Sequence, residues 1–521
     1  MAVKENNLHG KTFLGLELGS TRIKAVLADE SFSPVAQGSH SWENRLENGV
    51  WTYSLEDIHK GVQNCFSSLA EDFLQKYKRP LTEVSAMGIS AMMHGYMAFD
   101  KNDRLLVPFR TWRNTSPKQA SEELSQLLGF NIPRRWSIAH LYQAILDGEE
   151  HISDIDHIIT LAGYVNFLLT GDRSVGIGDA SGIFPVDGKG YNKKYTELVQ
   201  KKFEEHGFYK NIEEILPPVK TAGESGSYLT GSGAAFLDIS GNLKAGIPVC
   251  PPEGDAGTGM TAADAVREGT GNVSAGTSVF SMLVLEKPLE GMYPEIDVVT
   301  TPDGAPAAMV HCNNCCGELD AWVNIFKEFA ALTGNNTDIS EIYEILYKNA
   351  MKGSTDCGGI TAYNFLSGEP VAGVENGSPA YFRLPGSSVT LANFFRAQLY
   401  SAFAALKMGM DILFEKEKVT ARQFTGHGGI FKVKGAAQQI LADGLNTPVS
   451  VMDTAGEGGA WGMALLAAYM ICGNGQSLAD WLDSHVFGGM EKYTVDPDIC
   501  GAAGYAEYMK RYKAGLKGYD I

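Results

Sequence analysis

Two short apolar runs, Phe13–Leu18 and Ile23–Ala28, flank the polar link Gly19-Ser20-Thr21-Arg22. Runs this short, split by a Gly-containing turn, predict a β-hairpin rather than one helix. Val273–Val284 repeats the layout, with Ser274-Ala275-Gly276-Thr277-Ser278 as its link. Two alike hairpins, set well apart along the chain, predict two similar domains. Helical spacing follows the first hairpin in Leu55–Tyr77, where Ile58, Val62, Phe66, Leu69, Phe73 and Leu74 recur on one face. Further helices are predicted at Ile158–Leu169, Met260–Ala265, Leu319–Leu332, Asp338–Met351, Val389–Leu413, Lys434–Asn446 and Met463–Tyr469. Val84–Ser90 is a β-type run leading into Ala91-Met92-Met93-His94-Gly95, and a strand at Phe424 ends in Gly428-Gly429. The charged, Gly-containing link Arg267–Gly271 is the predicted domain boundary.

A chain of 521 residues is too long for one ordinary core, which agrees with two domains. With 44% hydrophobic and 20% charged residues the composition is that of a soluble globular protein. The formal net charge of −18 argues against nucleic acid or an anionic membrane as partner. The opening MAVKENNLHGK has no apolar core of a secretory signal, and Met463–Ile471 is too short to cross a bilayer. Eight irregularly spaced cysteines fit reduced cytoplasmic thiols better than a disulfide framework. The cluster His311-Cys312-Asn313-Asn314-Cys315-Cys316 lacks a second ligand pair at a zinc-like spacing, so packing thiols are expected there.

The hairpin turns carry the first candidate chemistry. Successive backbone N–H groups at Gly19, Ser20, Thr21 and Arg22, with two hydroxyls and a cation, form a natural anion site. A plain hairpin with a polar tip has the same composition. Gly276, Thr277 and Ser278 offer a second such turn. Asp255, in Pro251-Pro252-Glu253-Gly254-Asp255-Ala256-Gly257, sits on a Gly-lined loop before a small-residue helix, a setting that suits a general base. Asp179, in Gly178-Asp179-Ala180, has similar flanks, and an Asp N-cap is the structural alternative for both. His94 lies where a buried strand ends, which in α/β folds often faces a crevice. In Val107–Thr115, Arg110, Trp112, Arg113 and Asn114 offer the cation, flat face and amide that suit a hydroxyl-rich ligand. Gly428-Gly429 and Ala455-Gly456-Glu457-Gly458-Gly459-Ala460-Trp461-Gly462 form two Gly-rich edges, fit either for a planar ligand or for close helix packing. No P-loop and no dinucleotide fingerprint is present.

Together these features suggest a nucleotide held between two domains, and the chain from about residue 12 to about residue 470 resembles the FGGY carbohydrate kinases. The strings GLELGSTRIKAV, ISAMMHGY, PFRTWRN, PPEGDAGTGM and TAGEGGAWGMA carry the likeness, most closely to ribulokinase- and xylulokinase-type ketopentose kinases of Gram-positive bacteria. The resemblance implies an α/β fold of two actin-like (ribonuclease-H-like) ATPase domains with an interdomain cleft, spanning residues 1–268 and 269–521. It implies phosphate contacts at Gly19–Arg22 and Gly276–Ser278, and an adenosine region at Gly428, Gly429 and Glu457. It places the catalytic base at Asp255, ahead of Asp179, and sugar contacts at Met93, His94, Trp112 and Arg113. The implied reaction is ATP- and Mg²⁺-dependent phosphorylation of a ketopentose at C5, L-ribulose first and xylulose second, by a cytoplasmic enzyme with a homodimer as candidate assembly. Where most of the family has Asp on the first strand, this chain has Glu17, kept with Asp255 as a metal-site candidate. The competing classes are an actin-like ATPase without a sugar substrate and a sugar-responsive repressor. The latter needs a helix-turn-helix that Met1–Lys11 is too short to supply.

Overall fold

The structure is a computed structural model that describes residues 10–188, 190–452 and 458–519. It is mixed α/β and divides into two compact units. The first comprises Met1–Val266, Val298–Ala307 and Glu457–Met490; the second comprises Arg267–Asp297, Ala308–Gly456 and Glu491–Ile521.

In the first unit the strands β1 (Phe13–Leu18) and β2 (Arg22–Ala28) form the predicted antiparallel hairpin, extended by β3 (Pro34–Ser41). On its other edge β1 pairs in parallel with Ala86–Ala91, and Pro248–Val249 and Ser227–Tyr228 continue the sheet. A parallel neighbour requires a crossover, and the helix α1 (Leu55–Tyr77) supplies it. Ser54 caps α1 by accepting the Asp57 N–H at 3.0 Å, and Lys78 ends it in the left-handed region. Its apolar stripe, Ile58, Val62, Cys65, Phe66, Leu69 and Phe73, is buried. Each large side chain so buried contributes about 1.5–3 kcal/mol. At Gly38 of β3 a Cβ would stand 2.3 Å from Cys65 O, so only glycine permits this approach.

The second unit repeats the plan. Thr270–Ala275 and Val279–Val284 form the second predicted hairpin, and Thr270–Ala275 pairs in parallel with Gln423–His427. Val449–Met452 and Lys492–Val495 extend one side, and the strand that ends at Cys312 the other. In both sheets the hairpin turn and the end of the parallel strand reach the same edge, with Leu18 opposite Ala91 and Ser274 opposite His427.

Several expected boundaries move. Ile158 and Ile159 belong to a short strand, and the helix predicted from Ile158 runs Leu161–Thr170 with Thr160 as its cap. The helix predicted from Met260 starts five residues earlier, as Asp255–Ala262, because a Gly-rich run in an otherwise packed setting still satisfies helical hydrogen bonds. Gly458–Cys472 is one helix, longer than Met463–Tyr469, and it groups with the first unit. Among the described residues no helix is long and apolar enough to cross a membrane.

Candidate active site

Register builds the centre of the site. Glu17 on β1 stands opposite Lys24 on one side and Ser90 on the other, and Glu253 pairs with Ser90 from a short strand beyond. Residues paired across a sheet project to one face, so Lys24, Glu17, Ser90 and Glu253 form a polar row in an apolar sheet. The helix Gly458–Cys472 abuts that row: a Cβ at Gly15 would lie 1.9 Å from Ala460 O. Glu17 Oε2 accepts the Ala460 N–H at 3.2 Å, serving an N–H of the first helical turn that has no partner within its own helix. Burial raises the Glu17 carboxyl above its ordinary range, against the lowering effect of Lys24 and the Ala460 N–H. Ser90 Oγ lies 3.0 Å from Thr258 Oγ1 and links the row to the helix Asp255–Ala262.

Asp255 is the first residue of that helix, not a loop residue, and it is not a cap, since Gly254 holds the N-cap position. Its Oδ1 accepts the Met93 N–H at 3.2 Å. Burial, then the negative charge of Glu17, pushes its carboxyl up to about 7. Asp179 lies on a four-residue helix, Ile177–Ala180. Burial raises its carboxyl to about 7, although a hydrogen bond from Thr160 Oγ1 opposes the rise. Exposure separates the two acids: Asp179 is 0% exposed, whereas Asp255 keeps part of its surface open.

Met93 and His94 are buried beside Asp255. His94 is held at φ 69°, an uncommon conformation for a residue with a side chain. Its Nδ1 lies 3.3 Å from Gly182 O, and its ring stacks on Trp136 with centroids 6.2 Å apart. Trp112 Nε1 donates to Ser20 Oγ at 3.2 Å, so the expected sugar loop is tied to the tip of the first hairpin. Trp42 Nε1 donates to Gly19 O at 2.7 Å and Tyr53 OH to Ser20 O at 2.5 Å, and the two rings stack at 4.1 Å. This aromatic support takes up the carbonyls of Gly19 and Ser20. Thr21 and Arg22 at the tip are exposed. Arg113 is exposed too, its guanidinium 3.8 Å over the Trp51 ring.

In the second unit Gly276 N–H donates to Ser278 O at 2.9 Å and closes the second turn. The carbonyls of Gly276 and Thr277 accept from Cys316 and Cys315 at 3.0 and 2.9 Å, at the start of the helix Gly317–Leu332. Gly428 has φ 111°, and a Cβ there would meet Ala275 O at 2.1 Å; Gly429 faces open space. Of the other Gly-rich edge, Glu457 lies outside the described residues. Gly459 and Gly462 are consumed in packing, because added Cβ atoms would meet Glu17 Oε1 at 2.6 Å and Thr258 O at 2.0 Å. Those two glycines bring this helix against β1 and against the helix Asp255–Ala262 and do not line a slot. Cys312, Cys315 and Cys316 are buried free thiols.

Among the described residues no group of three His, Cys, Asp or Glu side chains has a metal-holding arrangement. Mg²⁺ in kinase sites takes one or two carboxylates and completes its shell with phosphate and water. Glu17 and Asp255, two partly exposed acids coupled through charge, fit that donor set. The position missed by sequence reasoning is Glu253, whose register with Ser90 and Glu17 is invisible without the sheet.

Comparison with known proteins gives this geometry its family. Residues 12–260 match the family model for the N-terminal domain of the FGGY family of carbohydrate kinases, and residues 271–471 match that for the C-terminal domain. A xylulose kinase of Haemophilus influenzae is 24% identical over 448 residues, covering 83% of this chain and 84% of that protein. The ligand-bound xylulose kinase of Lactobacillus acidophilus superposes with a TM-score of 0.78 at 16% identity, covering 98% of each chain. The glycerol kinase of Plasmodium falciparum with ADP superposes at 0.76 and 16% identity, covering 98% of this chain and 99% of that one. The likeness to these structures carries the actin-like α/β fold, and the two matched domains carry the activity class. The chain belongs to the FGGY family of carbohydrate kinases and is a sugar kinase that uses ATP.

Proposed function

We propose that this enzyme phosphorylates the terminal C5 hydroxyl of a ketopentose, with xylulose ahead of L-ribulose. The ribulose preference rests on motif resemblance alone, whereas a curated relative that matches most of the chain is a xylulose kinase. The observation that carries the reading is Asp255, an accessible carboxylate raised to about 7 and hydrogen-bonded to Met93 beside His94. A base with a pKa near the working pH is well matched to taking a hydroxyl proton.

In this reading Met93, His94, Trp112 and Arg113 hold the sugar. The turns Gly19–Arg22 and Gly276–Ser278 contact the phosphates of ATP, and Gly428 and Gly429 lie against the adenosine. Asp255 takes the proton of the C5 hydroxyl as that oxygen attacks the γ-phosphorus. The bond from the γ-phosphorus to the β–γ bridging oxygen breaks, and ADP leaves. Mg²⁺, with Glu17 and Asp255 as its protein carboxylates, would neutralise phosphate charge. Positioning and charge neutralisation supply most of the acceleration in such loose transition states, with the base assisting. Functional halves at residues 1–268 and 269–521 follow from the same reading.

Incubation with ATP–Mg²⁺ and a panel of xylulose, L-ribulose, gluconate and polyols, followed by product identification, tests it. A 5-phosphate formed fastest from xylulose is the expected result. ATP hydrolysis independent of every sugar would overturn it in favour of an actin-like ATPase.

A further inference from the structure

We propose that Glu253 is a positioning residue for sugar binding, pinning the turn whose Gly182 carbonyl holds His94. The inference rests on the reading above that His94 contacts the sugar.

Glu253 is 1% exposed and its carboxyl accepts main-chain N–H groups, those of Gly178 and Asp179 among them. Gly178 N–H donates to Oε1 at 3.3 Å and Asp179 N–H to Oε2 at 3.0 Å. Two glycines make room for it. A Cβ at Gly176 would lie 2.1 Å from Oε1, and one at Gly178 would lie 2.4 Å from Oε2. The carboxylate thus sits in a slot that no larger residue would leave open. The segment it grips is short and continues directly to His94. Gly182 N–H donates to Asp179 O at 3.0 Å, and Gly182 O faces His94 Nδ1 at 3.3 Å. A carbonyl only accepts, so Nδ1 carries a proton in this contact. Thr300 braces the same segment, donating its N–H to Ser181 Oγ and its hydroxyl to Ile177 O, each at 3.1 Å.

Glu253 also stands two residues before Asp255, in the strand that pairs with Ser90 and Ala91. At Gly254 a Cβ would lie 2.2 Å from Met93 Cγ. One strand end therefore presents the base to the reacting hydroxyl and, through Glu253, fixes the imidazole that orients the sugar. A glutamine at position 253 would offer one acceptor oxygen and turn an NH₂ against the other N–H. Side-chain volume is kept while the grip on the Gly178–Asp179 segment is weakened.

Steady-state kinetics of Glu253→Gln, His94→Ala and the double variant, with xylulose as the varied substrate, test the proposal. Glu253→Gln is expected to raise sugar KM about tenfold, the scale of one buried hydrogen bond, while ATP KM moves less than about twofold. In the His94→Ala background it should add nothing. A sugar KM within about twofold of wild type, or an effect that multiplies onto His94→Ala, overturns the role of Glu253. An unchanged sugar KM in His94→Ala itself overturns the underlying reading of His94 instead, and the inference falls with it. If Glu253→Gln does not fold, Gly182→Ala replaces it, because its Cβ would lie 2.7 Å from His94 Nδ1 and displace the ring directly. A wild-type sugar KM in folded Gly182→Ala overturns the proposal equally.

Discussion

Asp255 Oδ1 accepts the main-chain N–H of Met93 at 3.2 Å, so the candidate base and the candidate sugar loop are parts of one hydrogen-bonded unit. Asp255→Asn keeps an oxygen for Met93 and loses both the ability to take a proton and the charge offered to Mg²⁺. The variant should fold with a wild-type circular dichroism spectrum, while kcat falls by a factor of about 10²–10⁴ in a coupled ADP-release assay. Near wild-type turnover would remove Asp255 from the role of base.

The pH profile follows from the same carboxyl. Held at about 7 by burial and by Glu17, Asp255 must be ionised to act, so kcat/KM should rise with pH and reach half its plateau near 7 in the free enzyme. The sign for stability is opposite. The folded state binds this proton more tightly than the unfolded chain, so its contribution is fully present below the unfolded value and is lost as pH rises through about 7. Asp255→Asn should therefore melt above wild type at pH 8, with the difference vanishing near pH 4. A melting gap of the same size at both pH values would contradict the shift.

Glu17→Gln keeps an acceptor for the Ala460 N–H and removes one negative charge beside Asp255. Thermal stability should hold. The Mg²⁺ concentration giving half-maximal activity should rise about 10–100-fold, the scale seen when a metal's supporting groups are altered. Titrating Mg²⁺ at saturating ATP reads this out, and an unchanged midpoint would exclude Glu17 as a metal-site residue.

Gly15→Ala tests how the helix Gly458–Cys472 reaches the sheet. A Cβ 1.9 Å from Ala460 O must push backbone apart, since no flexible side chain is there to move. Urea unfolding should show a loss of about 1–3 kcal/mol, typical of overpacking. Activity should fall as well, because Ala460 is the residue whose N–H engages Glu17.

Trp112→Phe keeps an aromatic face of smaller area and deletes the indole N–H that reaches Ser20 Oγ at 3.2 Å. About 1 kcal/mol of stability should be lost. The larger expected effect is on function, since the tie between sugar loop and hairpin tip is gone. Comparing KM for sugar and for ATP in this variant shows which of the two ligands depends on it.

Much of this protein follows from local pattern. Both hairpins, at Phe13–Ala28 and Val273–Val284, were legible because short apolar runs around Gly and hydroxyl residues have few other solutions. The helix α1 matched its predicted ends, since the 3.6-residue stripe is a signal written in neighbouring residues. Asp255 stood out through its Gly-rich flanks, and the ordered set of motifs pointed to the family. Tertiary structure alone decided the rest. The row Lys24–Glu17–Ser90–Glu253 comes from three chain segments brought into register by strand pairing, which no local signal encodes. Gly459 and Gly462 read equally well as a ligand slot or as helix packing, and only the distances to Glu17 and Thr258 separate the two. Asp179 and Asp255 have matching flanks, yet one is sealed and the other open, because accessibility is set by what distant segments cover.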